Sequence, residues 1–358
     1  MFPIEQIVRL KYKYIAKPLL FRRDPEEVHD RATRVGVVLG KSRVVQSIFR
    51  SCFGRKDASL FQTVCGIDFK SPIGLAAGFD KNAELLNILP ALGFGYAEVG
   101  SVTGESCLGN AKPRLWRIPE EKSLRVYYGL KNDGAEAISA RLKGKTFAFP
   151  VGVSIAKTNS PATVETEQGI ADYMKVAEAF RDIGDYITIN TSCPNAFGGE
   201  PFSDPVRLEK LLKAYHALHI TKPTFLKLAA DLTHEHLDQI VELSKTYSID
   251  GFICTNLKKE AGEKGGLSGK SVASLSDDMI AYIYKKVGKK KVIIGCGGIF
   301  SGEDAYRKIR KGATLVQLIT GMIYEGPQLI SEINRDLVKV LKKDGFSHIS
   351  EAIGKDVL

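Results

Sequence analysis

The chain has 358 residues, of which 44% are hydrophobic and 26% are charged, the proportions of an ordinary soluble globular protein. No apolar run approaches the roughly 20 residues that span a bilayer, and no signal-peptide pattern opens the chain. Six cysteines, at 52, 65, 107, 193, 254 and 296, lack CxxC pairs and histidines at metal-ligand spacing, which argues against a disulfide framework, a zinc site or an iron–sulfur cluster and for a reducing compartment. The net charge of +10 favours anionic partners, among them phosphorylated cofactors, acidic substrates, nucleic acid and an anionic membrane surface.

Residues 1–23 form a basic apolar segment that differs from everything after it. Six Lys and Arg side chains occur in it, against the single acid Glu5. This composition suits a helix that lies on anionic lipid, but a helix packed on the protein's own core would show the same pattern, so both alternatives stay open. The apolar residues of the segment are Phe2, Ile4, Ile7, Val8, Leu10, Ile15, Leu19, Leu20 and Phe21.

A second helix is predicted from residue 25, because Asp24 can cap its first turn and Pro25 suits its first position. The polar stretch at 54–59 indicates a linker after this helical region. We therefore divide the chain into an N-terminal helical segment, 1–56, whose first part suits membrane association, and a barrel domain, 57–358. The expected apolar face of the second helix is Val28, Ala32, Val35 and Val38.

From residue 61 onward, strand and helix patterns alternate with unusual regularity. Eight strand patterns, each followed by a helix, predict an α/β fold: a parallel (β/α)₈ TIM barrel with an N-terminal helical extension. A doubly wound sheet is the alternative, but no GxGxxG follows the first strand. The strand patterns lie at 73–77, 96–102, 151–155, 186–191, 224–228, 251–254, 291–294 and 314–319; helical patterns include 169–183, 233–246, 301–311 and 328–342; two short strands at 61–64 and 67–69 are expected to close the bottom of the barrel.

The segment 189–195, with the sequence Ile-Asn-Thr-Ser-Cys-Pro-Asn, carries the strongest chemical signal. A β-branched strand runs there into a Pro-containing turn, and enzymes on this barrel work at the C-terminal ends of the strands. Cys193 in that turn can act as a nucleophile or a general base, and a small buried cysteine is the alternative. Asn190 and Asn195 offer paired donors and acceptors that suit an amide-rich heterocycle.

Other strand ends indicate a phosphorylated cofactor. Lys227 lies within a buried strand pattern, where an uncompensated charge is costly, so an anion is expected beside it. Glycine turns follow the seventh and eighth strands, which is the usual phosphate site of this barrel. A buried lysine facing a phosphate-anchored ligand suits FMN, because the cation stabilises the negative charge of the reduced isoalloxazine.

On these motifs, the chain resembles the dihydroorotate dehydrogenase family over nearly its whole length. The Asp-Pro-Glu-Glu-Val-His stretch at 24–29 is similar to the helical extension of the membrane-associated, quinone-using class 2 enzymes. The resemblance implies FMN as cofactor and dihydroorotate/orotate, a quinone and an anionic membrane surface as partners, in de novo pyrimidine biosynthesis. It also implies a peripheral location on the cytoplasmic face of the inner membrane. The matching stretches are 75–84, 98–117, 189–195, 226–232, 264–269 and 293–298.

The resemblance also implies a role for individual residues. Cys193 would be the base that takes a proton from C5 of dihydroorotate while a hydride leaves C6, and His29 and Arg117 would contact the quinone. No metal site is expected. Substrate contacts are implied for Lys81, Asn190, Asn195, Asn256, Tyr128, Gly129 and Leu130. Cofactor contacts are implied for Ala77, Gly78, Lys81, Ser101, Ser154, Asn190, Lys227, Thr255, Gly269, Gly297, Gly298, Ile319 and Thr320.

Several positions depart from the family pattern, and they concentrate at the site. The class 2 base is usually serine, not cysteine. A substrate-binding asparagine is replaced by Val126 and a Thr or Ser by Leu257, while an FMN asparagine is replaced by Ser154 and a tyrosine near the flavin by Ile319. Two alternatives therefore stay open: an FMN oxidoreductase of the same fold acting on another dihydropyrimidine-like substrate, and a catalytically weak flavin-binding homologue. The tRNA dihydrouridine synthases share a thiol–Pro turn, but no C-terminal RNA-binding domain is evident, so no nucleic-acid partner is expected.

Overall fold

The computed structural model describes residues 4–54 and 57–357, so Phe2 of the apolar segment lies outside the described residues. The strands in chain order are β1 (Gln62–Val64), β2 (Ile67–Phe69), β3 (Ile73–Leu75), β4 (Tyr96–Val102), β5 (Leu115–Ile118), β6 (Ser123–Val126), β7 (Val151–Ile155), β8 (Tyr186–Asn190), β9 (Thr224–Leu228), β10 (Gly251–Cys254), β11 (Lys258–Lys259), β12 (Gly266–Gly269), β13 (Val292–Cys296) and β14 (Leu315–Leu318). The α-helices are α1 (Ile4–Lys11), α2 (Lys17–Phe21), α3 (Pro25–Gly40), α4 (Arg43–Phe53), α5 (Ala135–Leu142), α6 (Thr166–Ala179), α7 (Pro205–His216), α8 (His234–Thr246), α9 (Ala273–Val287), α10 (Gly302–Arg310), α11 (Thr320–Glu325), α12 (Leu329–Lys343) and α13 (Ile349–Ala352).

The predicted barrel is confirmed. Strands β3, β4, β7, β8, β9, β10, β13 and β14 pair in parallel and close on themselves in that order. Every residue of β8 and β9 is buried, because helices cover the outside of the barrel and side chains fill its inside. The continuous β-branched and aromatic runs that predicted these strands follow from this two-sided burial.

The expectation that every strand is followed by an α-helix is wrong for the first one. After β3 the chain forms a glycine-containing loop and a single 3₁₀ turn, Leu89–Leu92. The buried Asp80 carboxylate accepts hydrogen bonds from the backbone N–H groups of Glu84 and Leu85 (2.8 and 2.9 Å) and so fixes the loop. Helices α3 and α4 of the extension cover this side, with Gly36 directly over Leu85.

The short strands β1 and β2 form an antiparallel hairpin at the bottom of the barrel, as predicted. Phe69 packs edge-on against Tyr96, the first residue of β4, with ring centroids 5.2 Å apart. Val64 and Phe69 belong to a core cluster with Tyr186 and Leu315, which begin their own strands. The hairpin therefore seals the N-terminal end and leaves the C-terminal end as the open face.

A four-stranded antiparallel sheet in the order β11-β12-β6-β5 was not predicted from the sequence. Its central pairing joins β6 to β12, with Val126 opposite Gly266. Such short strands, paired between segments far apart in the chain, leave no local periodic signal. The sheet lies over the C-terminal ends of the barrel strands and supplies one wall of the site.

Helix α3 begins as predicted, because the Asp24 carboxylate accepts hydrogen bonds from the N–H groups of Glu26 and Glu27 (2.9 and 3.0 Å). Its expected apolar face does not pack on the core. Val35 and Val38 are 56% and 66% exposed. Val35 instead borders the cavity described below.

Residues 4–23 pack on the barrel only in part. Glu5, the acid of this segment, is buried, accepts a hydrogen bond from Ser331 (2.6 Å) and pairs with Arg335 on α12. Phe21 packs edge-on against Tyr324 at 5.4 Å. In contrast, the apolar side chains Ile4, Ile7, Leu10, Tyr14, Ile15 and Leu19 are exposed. Within residues 4–54 and 57–357, no helix combines the length and apolarity needed to cross a bilayer.

Candidate active site

One cavity of about 560 Å³ lies at the C-terminal ends of the barrel strands, beneath the four-stranded sheet and helix α3. It collects almost every site residue expected from the sequence. The expected residues that line it are His29, Ala77, Gly78, Lys81, Ser101, Arg117, Tyr128, Gly129, Leu130, Asn190, Cys193, Asn195, Lys227, Thr255, Asn256, Gly269, Gly297, Gly298, Ile319 and Thr320.

Ser154 is the one expected site residue that does not line the cavity. It is fully buried behind Ser101, and their hydroxyl oxygens are 2.7 Å apart. The Asn190 amide donates to the same Ser101 hydroxyl at 2.8 Å. Ser154 therefore acts on the cavity only indirectly. It hydrogen-bonds to Ser101, and Ser101 lines the cavity.

Lys227 lies in a buried environment that suits a bound anion. It is the last residue but one of β9 and only 4% exposed, with the adjacent Asn190 as its register partner on β8. Among the residues that the structure describes, no carboxylate pairs with its ammonium group. A buried ammonium without a counter-charge is costly, so the donor set fits a bound anionic cofactor.

The glycine turns beside Lys227 bring backbone close to the cavity. Gly297 has φ +113°, and a Cβ built there would lie 2.7 Å from Val272. Gly269 has φ +92°, and its Cβ would lie 2.8 Å from the Thr320 side chain. Only glycine allows both this conformation and this approach. Backbone N–H groups next to the start of α11 give a cradle that fits the phosphate of FMN.

Cys193 lies half-buried in the turn after β8 and lines the cavity. Burial raises the pKa of its thiol to about 11, while the backbone of Asn195 and the charges of Lys157 and Lys227 act in the opposite direction. Its neighbour Ser192 is held by the Asn190 carbonyl oxygen, which accepts from the Ser192 hydroxyl at 3.0 Å. The thiol is thus fixed at the cavity wall and is mostly protonated at neutral pH.

Two asparagine side chains line the cavity together with the thiol, and they differ in the hydrogen-bonding groups that they leave free for a ligand. The side-chain N–H groups of Asn256 are used within the turn, because they donate to the Ser192 carbonyl (2.6 Å) and hydroxyl (3.0 Å). The Asn195 amide donates to the Val126 carbonyl at 3.0 Å. The side-chain oxygen of Asn195, Oδ1, is buried and has no partner among the described residues. Asn195 therefore offers a hydrogen-bond acceptor to a ligand N–H group.

The departures Val126 and Leu257 both line the cavity, so this part of its wall is apolar. Lys81 is the nearby cation. Its ammonium lies 4.2 Å from the centroid of the Tyr128 ring, and burial lowers its pKa to about 8. The Tyr128 hydroxyl is buried and unpartnered within residues 4–54 and 57–357. An anionic ligand group next to Lys81 would stabilise its charged form.

The two residues expected at the quinone lie at the outer end of the cavity. His29 Nε2 donates to the Phe79 carbonyl at 2.9 Å, and burial lowers the pKa of the imidazole to about 4, so the ring is neutral. Arg117 donates to the Arg23 carbonyl at 2.8 Å, yet its Nε is buried without a partner in the described part of the chain. Arg117 therefore retains a donor for a ligand carbonyl, whereas the donor of His29 is already used.

Sequence reasoning missed the contacts that hold the site together. The Glu26 carboxylate forms two hydrogen bonds with Arg114 (2.8 and 3.0 Å), which joins α3 to the loop before β5. Asn110 donates to the carbonyls of Tyr127 (3.1 Å) and Asn195 (3.0 Å) and so ties two walls of the site. No sequence pattern marks these pairs, because each joins segments that only the fold brings together.

The chain is similar to known proteins over nearly its whole length. The family model of dihydroorotate dehydrogenase matches residues 59–341. Two similar proteins are the dihydroorotate dehydrogenases (quinone) of Gloeobacter violaceus, 38% identical over 95% of this chain and 98% of the relative, and of Nitratiruptor sp., 41% identical with the same coverage. The crystal structure of DHODH from Eimeria tenella in complex with ferulenol superposes with a TM-score of 0.80 at 28% identity, covering 93% of this chain and 96% of that one. This chain therefore belongs to the dihydroorotate dehydrogenase family.

Proposed function

We propose that this protein oxidises dihydroorotate to orotate with FMN as cofactor and delivers the electrons to a quinone, in the de novo synthesis of pyrimidines. One observation carries the proposal. A single cavity joins the residues expected around flavin and substrate to the helices of the N-terminal extension. An apolar quinone needs such a route from a membrane surface, which a water-soluble electron acceptor does not.

The cofactor end of the cavity supplies what FMN requires. When bound, FMN supplies the acceptor for the hydride that leaves C6 of the substrate. Lys227 provides the positive charge that the flavin ring needs as it gains negative charge, and it has no competing carboxylate within the described residues. Gly297 and Gly298 line this end of the cavity and would hold the phosphate through backbone N–H groups.

Cys193 is the base, and its thiolate takes the proton from C5 of dihydroorotate. The free carbonyl oxygen of Asn195 accepts a ring N–H of the substrate, which orients C5 toward the thiolate. Lys81 pairs with the substrate carboxylate, and that pairing keeps the ammonium charged despite the burial that lowers its pKa. Val126 makes the remaining wall apolar, so Lys81 and backbone N–H groups at Gly129 and Leu130 carry the carboxylate.

Residues 1–56 serve membrane association and quinone access. Exposed apolar side chains of residues 4–23, such as Leu10, Ile15 and Leu19, alternate with Lys and Arg, which suits an anionic membrane surface. The unpartnered Nε of Arg117, beside Phe21 and Arg23 of this segment, donates to a quinone carbonyl. The protein accordingly works as a peripheral protein on the cytoplasmic face of the inner membrane.

Anaerobic reduction of the bound flavin by dihydroorotate tests the activity and the base together. The wild type should lose its flavin absorbance on mixing, and Cys193→Ala should keep FMN but reduce it about 10²–10⁴-fold more slowly. Cys65→Ala is the matched control, because Cys65 is exposed at the opposite end of the barrel. Unchanged kinetics in Cys193→Ala would exclude this thiol as the base.

Reoxidation tests the quinone end separately. Arg117→Met should leave the reduction step intact and slow reoxidation by a quinone about 10-fold or more, through loss of a charge-assisted hydrogen bond. Arg22→Met, an exposed change in the N-terminal segment, should leave both reduction and reoxidation unchanged. Binding to anionic vesicles should weaken as salt rises, because the Lys/Arg contribution is screened. Equal reoxidation rates in both variants would refute the assignment of Arg117.

A further inference from the structure

Lys157 is a second buried lysine beside the site, and the proposed mechanism leaves it without a role. It follows strand β7 and is 3% exposed. Its ammonium donates to the Phe197 carbonyl at 2.7 Å, and the Asn159 carbonyl oxygen accepts from the Phe197 N–H at 2.6 Å. Both backbone polar groups of Phe197 are thus held from the 157–159 segment. Phe197 lies four residues after Cys193, so these contacts fix the turn that carries the thiol.

The charge of Lys157 also reaches the thiol. Burial lowers the pKa of this lysine, and the charges of Cys193 and Asp172 oppose that change. Around Cys193, burial raises the pKa of the thiol, Lys157 and Lys227 lower it, and Glu200 raises it. The Glu200 carboxylate is paired with the Lys259 ammonium at 2.6 Å, which offsets part of its effect on the thiol.

We infer that Lys157 is a positioning residue that stabilises the Cys193 thiolate and holds its turn against the cavity. The inference rests on the proposed role of Cys193 as the base. It separates the tasks of two buried lysines: Lys227 faces the flavin, and Lys157 faces the base. In the proton transfer, the C5 proton moves to the Cys193 sulfur, and Lys157 keeps its own protons throughout.

Three substitutions separate the charge from the hydrogen bond. Lys157→Gln removes the charge and keeps a donor for the Phe197 carbonyl, Lys157→Met removes both, and Lys157→Arg keeps the charge. The measurement is the rate of iodoacetamide alkylation of Cys193 in the holoprotein as a function of pH, read by mass spectrometry of its peptide. Cys65, an exposed thiol at the bottom of the barrel, is the internal reference.

At a fixed pH of about 8, well below the midpoint of Cys193, alkylation of Cys193 should be about 10-fold slower in Lys157→Gln and Lys157→Met, because the charge of Lys157 is gone. Lys157→Arg should stay close to the wild type, and the Cys65 profile should not move. Lys222→Met is the matched control, because Lys222 is also partly buried and donates to two backbone carbonyls, of Phe180 and Ile183. It should leave the Cys193 profile unchanged.

A Cys193 profile in Lys157→Gln that superimposes on the wild type would overturn the inference. FMN absorbance and melting temperature establish that each variant is folded. If Lys157→Met does not fold, Lys157→Gln still provides the test, because glutamine keeps a donor for the Phe197 carbonyl. Alkylation does not depend on turnover. A Cys193→Ala protein that still reduces its flavin would therefore refute the base, and an unshifted Lys157→Gln would refute the positioning role alone.

Discussion

Replacing Glu26 with glutamine is expected to destabilise the protein by roughly 3 kcal/mol, because it leaves a buried guanidinium without its counter-charge. The side chains of Glu26 and Arg114 are 4% and 5% exposed. Arg114 keeps its hydrogen bonds to the carbonyls of Leu108 (2.7 Å) and Asn110 (2.8 Å), so it stays in place while its charge is uncompensated. Lys112 and Lys131, which also approach Glu26, are far more exposed and contribute little.

The expected change in melting temperature follows from chain length. An unfolding entropy of about 2.1 cal/mol/K per residue gives about 0.75 kcal/mol/K for 358 residues. A loss of roughly 3 kcal/mol then lowers the melting temperature by about 4 °C. Thermal unfolding of the holoprotein, followed by circular dichroism, measures this shift.

The effect should depend on pH with a defined sign. Burial alone would raise the pKa of Glu26, but the hydrogen bonds and charge of Arg114, together with Lys112 and Lys131, outweigh burial and hold it at about 2. Because this value lies below the ordinary pKa of 4.5, the stabilisation by the Glu26 carboxylate is complete above pH 4.5 and disappears as the pH falls through about 2. The difference between wild type and Glu26→Gln should therefore shrink in acid.

Glu27→Gln is the matched control. Glu27 is the next residue on α3, and its pair with Arg31, at 3.7 Å, is exposed on both sides. This change should alter stability by less than about 0.5 kcal/mol. Equal melting temperatures for Glu26→Gln and Glu27→Gln at neutral pH would refute the argument that the Glu26–Arg114 pair fastens the extension to the barrel.

Four further predictions concern the site. The rate of flavin reduction should rise about 10-fold per pH unit between pH 7 and 9, because only the Cys193 thiolate accepts the proton and its pKa is about 11; a flat rapid-mixing profile would contradict this. Over the same range the KM for dihydroorotate should increase above about pH 8, where free Lys81 loses its charge, and steady-state kinetics measure it. Lys227→Met should weaken FMN binding or slow flavin reduction, which a flavin titration and stopped-flow absorbance check, and full retention of both would remove its role. Val126→Asn should tighten dihydroorotate binding by about 1–2 kcal/mol if a regained amide reaches the carboxylate; unchanged affinity would mean that Lys81 and the backbone already satisfy it.

The sequence by itself was sufficient for the barrel and for most residues of its open face. Parallel strands that are buried on both sides have continuous apolar runs in the sequence. The residues that follow or end these runs, such as Asn190, Thr255 and Thr320, converge at one end of any closed barrel. Lys227 stood out because a charge inside such a run has no other explanation than a partner. The cap at Asp24 was equally readable, since a helix start depends on neighbours along the chain.

Tertiary structure alone decided which side chains have something left to donate or accept. The sequence does not distinguish Asn195 from Asn256. In the structure, Asn195 keeps an unpartnered side-chain oxygen, whereas the Asn256 amide already donates to Ser192. The exposed apolar residues of α1 and the burial of Glu5 were likewise undecided, because an amphipathic pattern does not say which surface covers it. The pairs Glu26–Arg114 and Lys157–Phe197 join segments far apart in the chain, and pairing of that kind depends on three-dimensional proximity that no local pattern records.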